Sequence, residues 1–232
     1  MSAGRAPESA RWMLLISVGL TVLLYVVPYG HVLAYPFVLL STVAHEMGHG
    51  LTALVTGAAF ERFTMWRDGS GVAVWSGSVG RLGLALIAAG GLVGPAVAAA
   101  IGFAAGRSRN GAHRFLLGVG GGLVLALLLV VRGWFAWLFV GLVAATCLWV
   151  GIKGRGEVAQ LVLVFLSVQL ALSVFSRSDY LFTPVAVTAQ GTLPSDVGQI
   201  SAALVLPYWF WGGLCGALSV LALLYGLRAY WR

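Results

Sequence analysis

Seven apolar runs dominate this chain of 232 residues, at Trp12–Pro28, Pro36–Val55, Leu82–Ala105, Phe115–Val131, Trp134–Ile152, Val158–Phe175 and Leu206–Leu227. Each approaches the ~20 residues that a helix needs to cross a bilayer. Only 9% of the residues are charged and the mean hydropathy is +0.95, whereas a soluble domain carries about 25% charged residues. Such a chain cannot cover itself with a polar surface. The expected fold is an all-α polytopic membrane protein of about six to eight transmembrane helices, with residues 1–232 forming a single integral-membrane domain. Arg5 and Arg11 precede the first run, but a second long run follows and no small-residue cleavage site separates them. The first helix is therefore expected to be retained.

The net charge is +7. The basic residues form short clusters between runs: Arg107, Arg109 and Arg114; Lys153 and Arg155; Arg228 and Arg232. That is the pattern of positively charged membrane loops, and it argues against a nucleic-acid partner. One parity conflict arises. A loop carrying Arg62 and Arg67 and the loop Arg107–Arg114 both favour the same face, yet one run separates them. Either Gly90, Gly91, Gly94 and Pro95 break that run into a re-entrant pair over Leu86–Gly102, or the charge rule fails at one loop. Cys147 and Cys215 both lie in apolar runs and read as packing residues rather than as a disulfide or a metal site.

Residues 60–77 read "FERFTMWRDGSGVAVWSG", too polar and too short to span. Phe63, Met65, Val72 and Val74 alternate with other residues on either side of Asp68-Gly69. An Asp-Gly pair between alternating apolar residues is a hairpin signal. A small interfacial β-hairpin is expected there, with Trp66 and Trp75 at headgroup level.

The second run carries His45-Glu46-Met47-Gly48-His49. Ionisable groups inside a bilayer cost at least ~2.5–3.5 kcal/mol each on insertion scales, so something must offset them. On a helix, residues four apart share a face, about 6 Å apart along the axis. Two imidazoles so placed can bind one Zn²⁺, which takes nitrogen ligands at ~2.0–2.1 Å and, in catalytic sites, keeps one position for water. Glu46 is placed to reach that water as general base. The other histidines, His31 and His113, lack partners at ligand spacing and read as loop residues.

Two histidines and a water leave one protein ligand to find among seven carboxylates. Glu8, Glu61, Asp68 and Glu157 lie in the tail, the hairpin or a basic loop, which leaves Asp179 and Asp196. Asp196 follows Pro194 and Ser195, and Ser195 is a suitable N-cap for a short helix running toward Pro207. Asp196 is the first choice and Asp179 the second.

These residues carry a resemblance. The helix "STVAHEMGHGLTALVTGAAFERF" resembles the opening of the site-2 protease type of intramembrane zinc metalloprotease, and most of all its compact M50B-like branch from bacteria. The pattern H-E-x-x-H-G-x-x-A-x-x-x-G is met by His45, Glu46, His49, Gly50, Ala53 and Gly57. The later Ser-Asp segment is met by Ser195, Asp196 and Gln199, and "YWFWGGL" (Tyr208–Leu214) is similar to the start of the last helix. The resemblance implies Zn²⁺ held by His45, His49 and Asp196, with Glu46 as base. It also implies a membrane-protein substrate helix as partner and a bacterial cell membrane as the setting. The chain departs from the better-known members in one respect: Asp196 stands in "PSDVG" rather than in an Asp-Gly pair.

Rival readings come from other classes. A non-catalytic membrane protein could keep the metal scaffold as a binding or regulatory module. A di-iron oxygenase needs more histidines than the four present. A transporter with paired broken helices would show internal symmetry, and the sequence has none.

Overall fold

A computed structural model describes residues 8–176, 181–188 and 191–232. The described elements are, in order, α1 (Glu8–Val26), α2 (Gly30–Val55), β1 (Ala59–Met65), β2 (Gly71–Ser76), α3 (Arg81–Gly106), α4 (Arg109–Leu129), α5 (Trp134–Lys153), α6 (Gly156–Ser176), β3 (Val185–Thr188), β4 (Gly191–Pro194), α7 (Asp196–Leu204) and α8 (Tyr208–Trp231). Each of the seven apolar runs is a helix, with ends shifted by a few residues. Six are long and apolar enough to cross a membrane: α1, α3, α4, α5, α6 and α8. The seventh, α2, has 26 residues. Its internal Ser41, Thr42, His45, Glu46 and His49 set it apart, and of these Ser41, Thr42, Glu46 and His49 are buried. The polytopic all-α architecture is thus as expected. Large apolar chains such as Leu15, Leu128, Leu138, Trp149 and Leu224 stay exposed on the outer faces, where lipid is their natural solvent.

The most enclosed of the six spans is α3, which packs against α2, α6, α7 and α8. It is one continuous helix with Pro95 inside, so the re-entrant pair over Leu86–Gly102 does not form. Arg81 and Arg107 therefore stand at opposite ends of one rod, and the charge rule cannot hold at both. The glycines that suggested a break serve close packing instead. A Cβ at Gly90 would strike Thr52 and the Gly48 carbonyl, and one at Gly94 would strike the Ala44 carbonyl. Small residues let membrane helices approach to backbone contact, and here they bring α3 onto the His-bearing face of α2.

At the Arg107 end, Gln160 is fully buried. Its Nε2 donates to the Gly106 carbonyl at 2.8 Å and to the Arg107 carbonyl at 3.1 Å. These are end-of-helix carbonyls with no intrahelical partner. Arg109 and Glu157 close the same end with a 2.7 Å ion pair. Gln160→Leu is expected to cost about 1–3 kcal/mol, read as a lower thermal unfolding midpoint with the metal content unchanged. At the same end, the Tyr230 hydroxyl donates to the Ala10 carbonyl and ties α8 to α1.

The hairpin forms as expected, β1 pairing antiparallel with β2 (Phe63↔Ala73, Met65↔Gly71). Gly57 has φ +87°, the left-handed geometry that ends many helices, and it turns the chain from α2 into β1. The strands lie back along α2. The turn is held there by Thr42 Oγ1 donating to the Gly69 carbonyl at 2.7 Å and by the Tyr35 hydroxyl donating to the Arg67 carbonyl. Arg67 also stacks over Trp134, 4.6 Å from the ring centre. Trp75 lines the cavity beside these strands. His31 and His113, expected in loops, lie within α2 and α4. His113 Nδ1 lies 2.9 Å from the Gly151 carbonyl. The antiparallel pair β3–β4 is an addition that the sequence reading did not anticipate. Cys147 and Cys215 are buried and unpaired.

Candidate metal centre

His45 and His49 project from one face of α2, as the spacing requires, with their rings edge to face at 86°. Their Nε2 atoms are 3.1 Å apart. Asp196 opens α7, where the Ser195 hydroxyl accepts from the Gly198 amide at 3.2 Å. That is an ordinary N-cap, and it fixes the first turn that carries the carboxylate. Asp196 Oδ2 is 3.1 Å from His45 Nε2, and Oδ1 is 3.3 Å from His49 Nε2. One donor atom from each of the three lies within 4.8 Å of the others. This His–His–Asp group is able to hold a metal ion. The other carboxylate considered, Asp179, lies outside the described residues.

Two partners around these side chains were not legible in the sequence. His49 Nδ1 is 2.8 Å from the Ile87 carbonyl on α3. A carbonyl can only accept, so Nδ1 carries the proton and the Nε2 lone pair is left facing Asp196. Such outer hydrogen bonds fix the tautomer and ring orientation of a metal-binding imidazole. The same helix leaves room for the ring at Gly91, where a Cβ would overlap the His49 imidazole. Gly91→Ala is expected to displace His49 and to weaken metal binding by at least the ~10–100-fold typical of a disturbed outer partner. Equilibrium metal titration of the purified variant checks this.

Glu46 is buried, 6% exposed, and lines the same cavity as His45, His49 and Asp196. The backbone amide of Ala73 on β2 faces its carboxylate. Gly71 is needed beside it, since a Cβ there would press on Thr42 and on the Glu46 side chain. Gly50 has a similar cause: a Cβ would enter the Phe60 ring of β1. The glycines after the second histidine thus seat the hairpin against the helix.

The hairpin's two edges differ. Phe63 of β1 donates its amide to the Val130 carbonyl and accepts from the Arg132 amide, both at 2.8 Å. The outer edge of β1 is therefore occupied. Because Phe63 bonds outward, its partner Ala73 also points its backbone groups away from β1, as does Gly71 two residues earlier. The outer edge of β2 faces the cavity, which has a volume of about 190 Å³ and is also lined by Ala186, Leu193 and Pro194. Gln199 is exposed and lines this cavity as well.

Six membrane-length helices and a seventh that carries two imidazoles to an aspartate define a polytopic membrane protein with an internal metal-type site. The chain belongs to the Peptidase M50B-like family, whose model matches residues 16–226. The match spans α2 with its histidines, the hairpin, and Asp196. No curated protein and no solved structure matches the chain.

Proposed function

We infer that the chain works as a single integral-membrane metallopeptidase unit, a zinc-dependent endopeptidase that cleaves a membrane protein within or near its transmembrane segment. The observation that carries this reading is the convergence of Asp196, from the far end of the chain, on the two imidazoles of α2. Ligand atoms ~2.0–2.1 Å from a tetrahedral zinc stand roughly 3.3 Å apart, and the separations here are 3.1, 3.1 and 3.3 Å. Two neutral imidazoles and one carboxylate also make a common donor set for catalytic zinc. His45, His49 and Asp196 would hold the ion, which when bound supplies Lewis-acid polarisation of a water and of a carbonyl oxygen.

The remaining chemistry belongs to the protein. Glu46 is the general base: its carboxylate takes a proton from the attacking water and returns it to the departing amine. The Ala73 amide of β2 faces the Glu46 carboxylate. A peptide bond in a helix is shielded, and its carbonyl is hydrogen-bonded, so the substrate must unwind first. The cavity-facing edge of β2 can take the unwound stretch as an added strand. Of the hairpin's two strands, the occupied outer side of β1 favours β2 for this. The bacterial membrane expected as the setting rests on the family resemblance.

The test is cleavage by the purified, zinc-loaded protein of a library of single-span peptides in detergent, read by mass spectrometry. Cleavage inside the span, lost with a chelator and restored by zinc, is expected. Zinc-loaded protein that cleaves no member of the library would favour a non-catalytic binding protein of the same fold.

A further inference from the structure

Asp196 meets both imidazoles at once, Oδ2 facing His45 and Oδ1 facing His49. A carboxylate that uses both oxygens tolerates little rotation of the turn that carries it. α7 has only nine residues, so whatever fixes its first turn also fixes Asp196. The N-cap bond takes a lone pair of the Ser195 hydroxyl and leaves its one proton to give. That proton goes to the Thr183 carbonyl, 2.6 Å away. The Ser195 amide donates in turn to the Pro184 carbonyl at 3.1 Å. Ser195 is 2% exposed, so both bonds are shielded from competing water. Residues 181–184 are themselves seated by close approach to two helices. A Cβ at Gly212 of α8 would strike the Leu181 carbonyl, and one at Gly198 of α7 would stand 2.5 Å from the Pro184 carbonyl.

We propose that Ser195 is a positioning residue for Asp196, and that its hydroxyl proton, apart from its capping lone pair, sets the carboxylate against the two imidazoles. The proposal rests on the metal reading above. The lone pair orders the first turn of α7 within itself. The proton anchors that turn to residues 181–184, and their contact at Gly212 carries the anchor to α8. Capping alone does not call for this arrangement, because Asp and Asn cap a helix as well as Ser does, and an aspartate has no proton to donate. Gly198 serves the same contact from the other side. A side chain there would push on the carbonyl that the Ser195 amide bonds. Release of the anchor lets the first turn shift and takes Asp196 out of register with His45 and His49.

The experiment compares full-length Ser195→Ala, Ser195→Thr and Gly198→Ala with the wild type. Zn²⁺ affinity is read by equilibrium titration, and ligand geometry by the visible absorption of the Co²⁺-loaded protein. Ser195→Ala removes cap and anchor together. Ser195→Thr keeps a lone pair and a proton and should bind zinc as the wild type does. Gly198→Ala leaves Ser195 whole and raises the helix propensity of α7, so a fall in its affinity reports the push on Pro184 and not a weaker helix. Ser195→Ala and Gly198→Ala are each expected to bind zinc about tenfold or more weakly, the scale for a disturbed outer partner, with an altered Co²⁺ spectrum. The double variant should be no weaker than the more affected single, because both changes release one anchor. Wild-type affinity and spectrum in Ser195→Ala and Gly198→Ala, whatever their unfolding temperatures, would overturn the proposal. So would a loss confined to Ser195→Ala, which would assign the effect to the cap, or a loss in Ser195→Thr equal to that in Ser195→Ala. Each of these leaves the metal reading intact. A wild type that binds neither ion would overturn both.

Discussion

Glu46→Gln is expected to lower cleavage by about 10²–10⁴-fold, the usual worth of a positioned acid–base group, while zinc content stays at the wild-type level. The amide keeps the shape of the carboxylate and can still meet the Ala73 amide through its carbonyl oxygen, so the β2 strand should stay in place. What is lost is the capacity to take a proton. Glu46 lines the cavity that holds the three ligand atoms but is not one of the group that converges, which is why metal binding and turnover should separate. The measurement pairs metal analysis with single-turnover cleavage of the best peptide from the library. Unchanged cleavage would remove Glu46 from the mechanism. Joint loss of metal and activity would make it a ligand or a structural residue instead.

The second large effect is expected at Asp196. Asp196→Ala leaves two imidazoles and no third protein donor, so the loss of zinc affinity should exceed the ~10–100-fold seen when only an outer partner is removed. The fold should survive, because the cap of α7 comes from Ser195 and not from Asp196. Asp179→Ala should retain zinc. Metal titration of the two variants side by side decides between the carboxylates considered from sequence. Retention of zinc by Asp196→Ala with its loss from Asp179→Ala would reverse the assignment.

Much of this site could be read from the chain because its signals are local. The spacing of His45 and His49 needs only helical geometry. Asp196 could be singled out because Pro194 and Ser195 announce a helix start, and α7 begins there. The apolar runs marked the spans for the same reason: length and hydropathy are properties of a segment alone. The parts that escaped depend on what lies across the bundle. No pattern within α3 says that the Ile87 carbonyl meets His49 or that Gly91 leaves space for its ring. The run around Gly90, Gly91, Gly94 and Pro95 suggested a broken helix, because glycine and proline weaken a helix judged by itself. Against α2 they are the residues that permit close approach. The β3–β4 pair has strands of only four residues, too short for a period-2 pattern to stand out.

The most direct measurement is zinc-edge X-ray absorption of the purified full-length protein, which reports both the amount of metal and its neighbours. One zinc per chain, with two imidazole nitrogens and a carboxylate oxygen at ~2.0–2.2 Å, is the result this account requires. Protein that folds but takes up no stoichiometric zinc, or that holds it with sulfur or with a single imidazole, would contradict it.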